Sequence, residues 1–169
     1  MGQSLTFELD TDIASAFARA LKVAPEVVKE EFAAATLEAL LLLEGLTKDF
    51  TPIGVTGNLR GAWAHELMGN SAEPEVLGRL FNPLPYAAPV ETGTRPHWAP
   101  LEPLVDWVRA KLDIADDEEA RRVARLIQFK IAAKGTKGAG MAARAMDTGR
   151  EDIKRGYREA YKRAFARIG

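Results

Sequence analysis

Residues 25–48 read Pro-Glu-Val-Val-Lys-Glu-Glu-Phe-Ala-Ala-Ala-Thr-Leu-Glu-Ala-Leu-Leu-Leu-Leu-Glu-Gly-Leu-Thr-Lys. Proline at the start suits the first turn of a helix, where its missing N–H leaves no bond unmade. Val28, Phe32, Ala35, Ala39, Leu42 and Leu46 then recur at alternating steps of four and three. That spacing draws one apolar stripe along a helix from Pro25 to about Lys48. Leu37, Leu40, Leu41 and Leu43 add apolar surface on other faces. A helix apolar on several sides is either sunk in its own fold or shared with a neighbour. The burial argument for one domain of this size leans to the first, and the second stays open.

On the N-terminal side, Ser4 to Leu9 alternates as a short strand would. Asp10 to Asp12 offer caps for a first helix, carried by Ile13, Phe17, Ala20, Leu21 and Ala24 and broken at Pro25. Downstream, Thr51 to Gly57 reads as a loop. Leu59, Gly61, Trp63, His65 and Leu67 then alternate as a strand with a short helical start. Gly69-Asn70-Ser71 turns the chain, and Glu75 to Phe81 reads as the hairpin partner. A stiff loop with five prolines runs from Asn82 to Pro100. Helices follow over Leu101–Leu112, from Asp116 to Gly135, and from about Thr148 to Ile168. Leu101, Leu104, Val105, Val108 and Leu112 form the inner face of the first, with Trp107 also in the core. Val123, Ile127 and Ile131 form the inner stripe of the second. Acids at Asp116 to Glu119 suit a helix N-terminus, and Gly135 suits a C-cap. Thr136 to Gly140 reads as a flexible basic link. The expected class is α+β: long helices packed against a small antiparallel sheet, in a single domain over 1–169.

The chain of 169 residues is 47% hydrophobic and 28% charged, which places it among ordinary globular proteins. No run of about 18 apolar residues marks a membrane span. The N-terminus lacks the basic start and apolar run of a secretory signal. With no cysteine, disulfides and thiolate chemistry are excluded. The net charge of −1 conceals a split. Residues 1–120 hold 9 Lys and Arg against 20 Asp and Glu, a balance of −11, whereas 121–169 hold 14 against 4, a balance of +10. Such a split suits solvated faces that attract within one molecule, a head-to-tail contact between copies, or a nucleic-acid surface on the basic helix.

Catalytic groups are scarce. The two histidines, His65 and His97, have no second histidine at metal-ligand spacing. Ser4, Ser15 and Ser71 stand in no nucleophile elbow. Gly135-Thr-Lys-Gly-Ala-Gly140 is glycine-rich but lacks the phosphate-loop spacing and follows a helix rather than a strand. No catalytic, cofactor or metal site is expected.

Four short segments carry a resemblance. They are Thr56-Gly57-Asn58-Leu59-Arg60, then Pro85-Tyr86-Ala87-Ala88-Pro89-Val90-Glu91-Thr92-Gly93-Thr94, then Leu101 to Val108, and last Ile131-Ala132-Ala133-Lys134-Gly135-Thr136. In order and spacing, over roughly residues 50–165, the chain resembles the tailed-phage neck and tail-completion family, whose members are often labelled minor tail protein or putative tail component. The resemblance implies a non-enzymatic virion protein of the tail or neck, assembled in the host cytoplasm. It implies a homo-oligomeric ring, six- or twelvefold, that helps cap the tail and join it to the head. Its expected neighbours are head-connector and tail-terminator or tail-tube proteins, with DNA in the channel and no membrane. The alternative is a DNA-binding module using the basic C-terminal region.

Candidate interface residues are Tyr86, Glu91, Arg95, His97, Trp98, Arg155, Arg158 and Lys162, with Gly57 and Gly93 as structural turns. Glu91 is expected to fix its loop by accepting a hydrogen bond from backbone or arginine. Trp98 lies between Pro96 and Pro100, as a loop anchor or as a side chain inserted into a partner. Replacing Trp98 by Ala is expected to weaken assembly more than folding. Sedimentation and chemical denaturation of the same variant compare the two, and equal losses would assign Trp98 to its own core alone.

Overall fold

Pro25 begins the longest apolar helix, α1 (Pro25–Phe50), and the helical residues 18–23 end just before it. The computed structural model describes residues 18–68 and 76–168. The expected strand at Ser4–Leu9, the caps and first residues of the N-terminal helix, and the turn at Gly69–Ser71 lie outside these. After α1 come α2 (Asn58–Gly61), β1 (Ala64–Met68), β2 (Leu77–Phe81), α3 (Ala87–Thr92) and β3 (Gly93–Thr94). The chain continues through α4 (Leu101–Leu112), α5 (Asp117–Lys134), β4 (Thr136–Lys137) and α6 (Met141–Ile168). The fold is α+β as expected, mostly helical with a small antiparallel sheet. By its internal contacts the chain divides into two units, Met1–Thr47 with Ala64–Phe81 and Ala143–Gly169, and Lys48–Trp63 with Asn82–Ala142.

In the first unit, α1 is buried along two adjoining lines. Val28 and Ala35 lie on the expected stripe, while Thr36, Leu40 and Leu43 lie beside it. The second line exists because the hairpin covers it. β1 and β2 pair antiparallel, His65 opposite Leu80 and Leu67 opposite Gly78. A Cβ on Gly78 would stand 2.8 Å from Thr36 Cγ2 and 2.9 Å from Leu40 Cδ1, so the strand lies flush on the helix there. At the other end of α1, Ala20, Val28 and Ala164 form a buried cluster flanked by Leu21, Phe32, Phe165 and Ile168. Burying a side chain the size of Val28 contributes about 1.5–3 kcal/mol. The Thr36 hydroxyl bonds the Phe32 carbonyl at 2.7 Å and the Tyr157 hydroxyl at 2.8 Å, joining α1 to α6.

In the second unit, α4 and α5 form an antiparallel-style helix pair around Val105, Val108, Ala120 and Ala124, all fully buried. Alanine at i and i+4 of α5 lets the two backbones come close. Asp113 ends α4 in the left-handed region at φ 54°. Asp116 then caps α5 by accepting from the Glu119 N–H at 2.7 Å. That satisfies one of the orphan donors of the first turn. Arg121 grips Glu102 of α4 through two nitrogens, at 2.7 and 3.2 Å.

Five expectations are corrected. The proline-rich stretch is not loop throughout, since α3 and β3 lie within it. Pro89 is the third residue of α3, where no intrahelical N–H bond is due, so a proline is tolerated. Thr136–Gly140 is not a flexible link, because β4 pairs there with β3. The last helix begins at Met141, not near Thr148. Gly149 is accommodated inside it because Leu46 packs 3.2 Å from where its Cβ would be. Trp107 is 39% exposed rather than core, since Val105 and Val108 take the buried face of α4; Leu112 is exposed too.

Gly93 has φ 81° and Gly135 has φ 71°. A Cβ on Gly135 would stand 1.9 Å from the Thr94 carbonyl oxygen. Gly135→Ala is therefore expected to cost at least about 2 kcal/mol in urea unfolding, from backbone strain and from the collision. Gly156 sits in the interior of α6 with open space beside it. Gly156→Ala should instead stabilise by roughly 0.5–1 kcal/mol through helix propensity.

Candidate interaction surface

The segment from Tyr86 to Trp98 is held by main-chain bonds. The Ala139 N–H donates to the Val90 carbonyl at 2.8 Å, and the Gly140 N–H donates to the Glu91 carbonyl at 3.0 Å. The Glu91 carboxylate accepts from the Ala142 N–H at 3.1 Å, in the first turn of α6. A carboxylate there answers both the unpaired donors and the positive end of the helix. Glu91 thus fixes its segment as expected, through backbone, and its carboxylate is turned to this internal task. The Thr94 and Thr136 hydroxyls bond each other at 2.9 Å across β3 and β4. Gly57 stands before α2 at φ 71°, and Gly93 ends α3, so both expected turn glycines occupy left-handed positions.

Beyond β3 the chain lies along α5. The His97 N–H donates to the Ile131 carbonyl at 3.4 Å, and the His97 Nδ1 donates to the Arg95 carbonyl at 2.9 Å. Gln128 Nε2 donates to the Ala99 carbonyl at 2.6 Å. These bonds hold Trp98 edge-on against Phe129, with ring centroids 5.3 Å apart and planes at 72°. Such a pair adds about 0.5–1.5 kcal/mol beyond its burial. Even so, Trp98 is 63% exposed, Phe129 59% and Leu126 65%. Arg95, Arg125, Lys130 and Lys134 are also exposed. None of these four forms an ion pair among the described residues. Sequence reasoning found Trp98, Arg95 and His97 but missed Leu126 and Phe129. Their signal was present: they are spaced i, i+3 on the side of α5 away from Ala120 and Ala124. Tyr86 is exposed at the start of α3.

The basic candidates of α6 are placed differently. Arg155 pairs with Asp152 at 2.6 Å and Lys162 with Glu159 at 2.7 Å, each one turn away. Arg158 Nε donates to the Lys154 carbonyl at 3.3 Å. Arg163 and Arg167 reach across to α1, with 2.7 and 2.9 Å contacts to Glu31, and Arg167 also meets Glu30 at 2.9 Å. The hydrogen bond from Arg163, then that from Arg167, holds the Glu31 carboxyl below the usual carboxylate range.

His65 on β1 is paired with Glu44 of α1. His97 has no carboxylate partner among the described residues. No group of three or more His, Asp or Glu could hold a metal ion among the described residues. No described helix is long and apolar enough to cross a membrane. An open groove of about 360 Å³ lies between α1 and α6, with Ala35, Glu38, Ala39, Gly156 and Arg163 among its lining residues. Comparison with known proteins finds no family, no curated protein and no solved structure that matches this chain.

Because the folded Glu31 is more acidic than the unfolded one, its clamp contributes fully above about pH 4.3. The contribution disappears as pH falls through the lower folded value. Glu31→Gln is expected to flatten the acid limb of stability below about pH 4.3, measured by denaturant unfolding at a series of pH values. An unchanged acid limb would show the clamp to be energetically idle.

Proposed function

We propose that this chain is a non-catalytic structural protein of the tailed-phage neck, one that assembles with copies of itself to help complete the tail and join it to the head. The observation that supports this best is the meeting of two resemblance segments. Tyr86 to Thr94 and Ile131 to Thr136 lie some forty residues apart, yet they form one ladder through β3 and β4. Their glycines are demanded by that ladder, since a Cβ on Gly93 would stand 2.4 Å from the Thr136 carbonyl. The likeness in sequence thus falls on residues that must occur together to build one piece of the fold. Chance turn residues carry no such coupling. A second support is the pre-organised patch of Trp98, Leu126 and Phe129, a size and chemistry suited to protein contact.

The alternative, a DNA-binding module on the basic C-terminal region, has less support. Arg155 and Lys162 each sit beside a carboxylate of their own helix, and Arg163 and Arg167 are engaged with α1. Paired cations release fewer counterions on meeting phosphate, so the affinity of this region for DNA should be low and should vary weakly with salt. Filter binding between 50 and 200 mM salt measures this.

The neck reading is tested by removing the gene from its phage. The expected outcome is accumulation of separate filled heads and tails, restored by the protein supplied in trans. Normal joining in particles that lack the protein would overturn the reading.

A further inference from the structure

Two exposed faces of this chain carry matching apolar groups and opposite charge. On α1, Leu37 and Leu41 stand exposed one turn apart. The other exposed positions from Glu26 to Gly45 are Glu26, Glu30, Ala34, Glu38 and Gly45, three carboxylates and no cation from α1 itself, with Arg163 and Arg167 of α6 beside Glu38 and Glu30. A Cβ on Gly45 would meet nothing within 4 Å, leaving room beside Leu41 for a bulky group. On α5, Leu126 and Phe129 stand exposed, with Trp98 against Phe129. The other exposed positions from Ala120 onward are Arg122, Arg125, Lys130, Ala133 and Lys134; Glu119 answers Arg122 at 3.4 Å, which leaves Arg125, Lys130 and Lys134 as three cations with no ion pair among the described residues.

We infer that the α1 face of one copy seats on the α5 face of the next. The inference rests on the reading of the chain as a self-assembling part and names the two faces that meet. One surface supplies a narrow leucine ridge between small residues. Its counterpart supplies Trp98 and Phe129, the kind of rigid aromatic that dominates binding energy when it is desolvated. The flanking charges complement each other at the rim, where they set register and encounter rate more than affinity. Arg167 meets Glu30 and Arg163 stands near Glu38, so the rim's negative charge is Glu26 together with the excess of Glu30, Glu31 and Glu38 over those two arginines. Every copy owns both halves and neither half matches itself, so the contact is heterologous and each copy binds two neighbours.

Two double variants test the inference in the purified full chain: Leu37→Glu with Leu41→Glu, and Leu126→Glu with Phe129→Glu. All four side chains are exposed, so both variants should retain wild-type circular dichroism; the Leu37/Leu41 variant should keep the unfolding midpoint, and the Leu126/Phe129 variant should lower it only by the loss of the Trp98–Phe129 contact. Sedimentation over a concentration series is expected to show oligomers for the wild type, loosened by salt. Each variant alone should associate at least tenfold more weakly, the size expected for a lost hot spot. Mixed in equal amounts, the two variants should form one-to-one dimers, because each keeps one intact face. A wild type that stays monomeric, a variant that assembles normally, or a mixture that stays monomeric would each overturn the inference. So would a Leu126/Phe129 variant that assembles normally but loses binding to a labelled single-stranded oligonucleotide, which would assign the α5 face to nucleic acid. Head–tail joining is a separate measurement. Heads and tails that join without this protein overturn the neck reading and leave the sedimentation result standing. A monomeric chain that is still needed for joining overturns only the paired faces.

Discussion

Main chain touches main chain where β3 and β4 pair, and the second unit is built on that contact. Gly138 would place a Cβ 2.4 Å from the Glu91 carbonyl, as close as Gly93 comes to Thr136. Nothing larger than hydrogen fits at these positions. Around this seam the Val90 and Glu91 carbonyls accept from Ala139 and Gly140, and the Glu91 side chain reaches Ala142. The start of α6 is therefore specified from fifty residues upstream. The same seam fixes where residues 95–99 leave β3 and so brings Trp98 onto Phe129. Shape here comes from the absence of side chains, and the aromatic surface follows from that shape.

Much of the fold was legible because its signals are local. Pro25, the three-four spacing along α1, the Asp116 cap and Gly135 at the end of α5 all declare themselves within a turn or two of sequence. The β1–β2 hairpin was readable from its alternation, although its turn lies among residues the structure does not describe. What escaped was non-local. β4 is two residues long and has no periodicity, and it exists because Gly93 and Thr94 lie opposite. The start of α6 depends on Glu91, far away in the chain. Trp107 was assigned inward by hydrophobicity, but Val105 and Val108 are the residues that face Ala120 and Ala124.

The charge split between the halves of the chain resolves into two kinds of surface. Along α6, Arg150, Lys154, Arg155 and Lys162 are answered within a turn by Asp147, Glu151, Asp152 and Glu159, and Arg163 and Arg167 across the helix pair by Glu31 and Glu30. Exposed pairs of this kind add little stability individually. They do cancel the field that a bare basic helix would cast. On the outer side of α5 Glu119 answers Arg122, but Arg125, Lys130 and Lys134 have no acidic neighbour one turn away in the sequence. Candidate residues chosen for charge alone thus fell mainly on α6, where charge is spent locally. Those chosen for an aromatic in a stiff loop fell beside the uncompensated face.

The Thr94–Thr136 tie has a consequence for how such a chain can change over time. It brings together the two ends of the excursion that holds α4 and α5. A segment whose entry and exit lie side by side can be lengthened, shortened or exchanged while the strands that frame it stay in place. Natural variation in α4, α5 and the Asp113–Asp116 turn is then free to follow whatever surface they meet, with the glycines of the seam held constant.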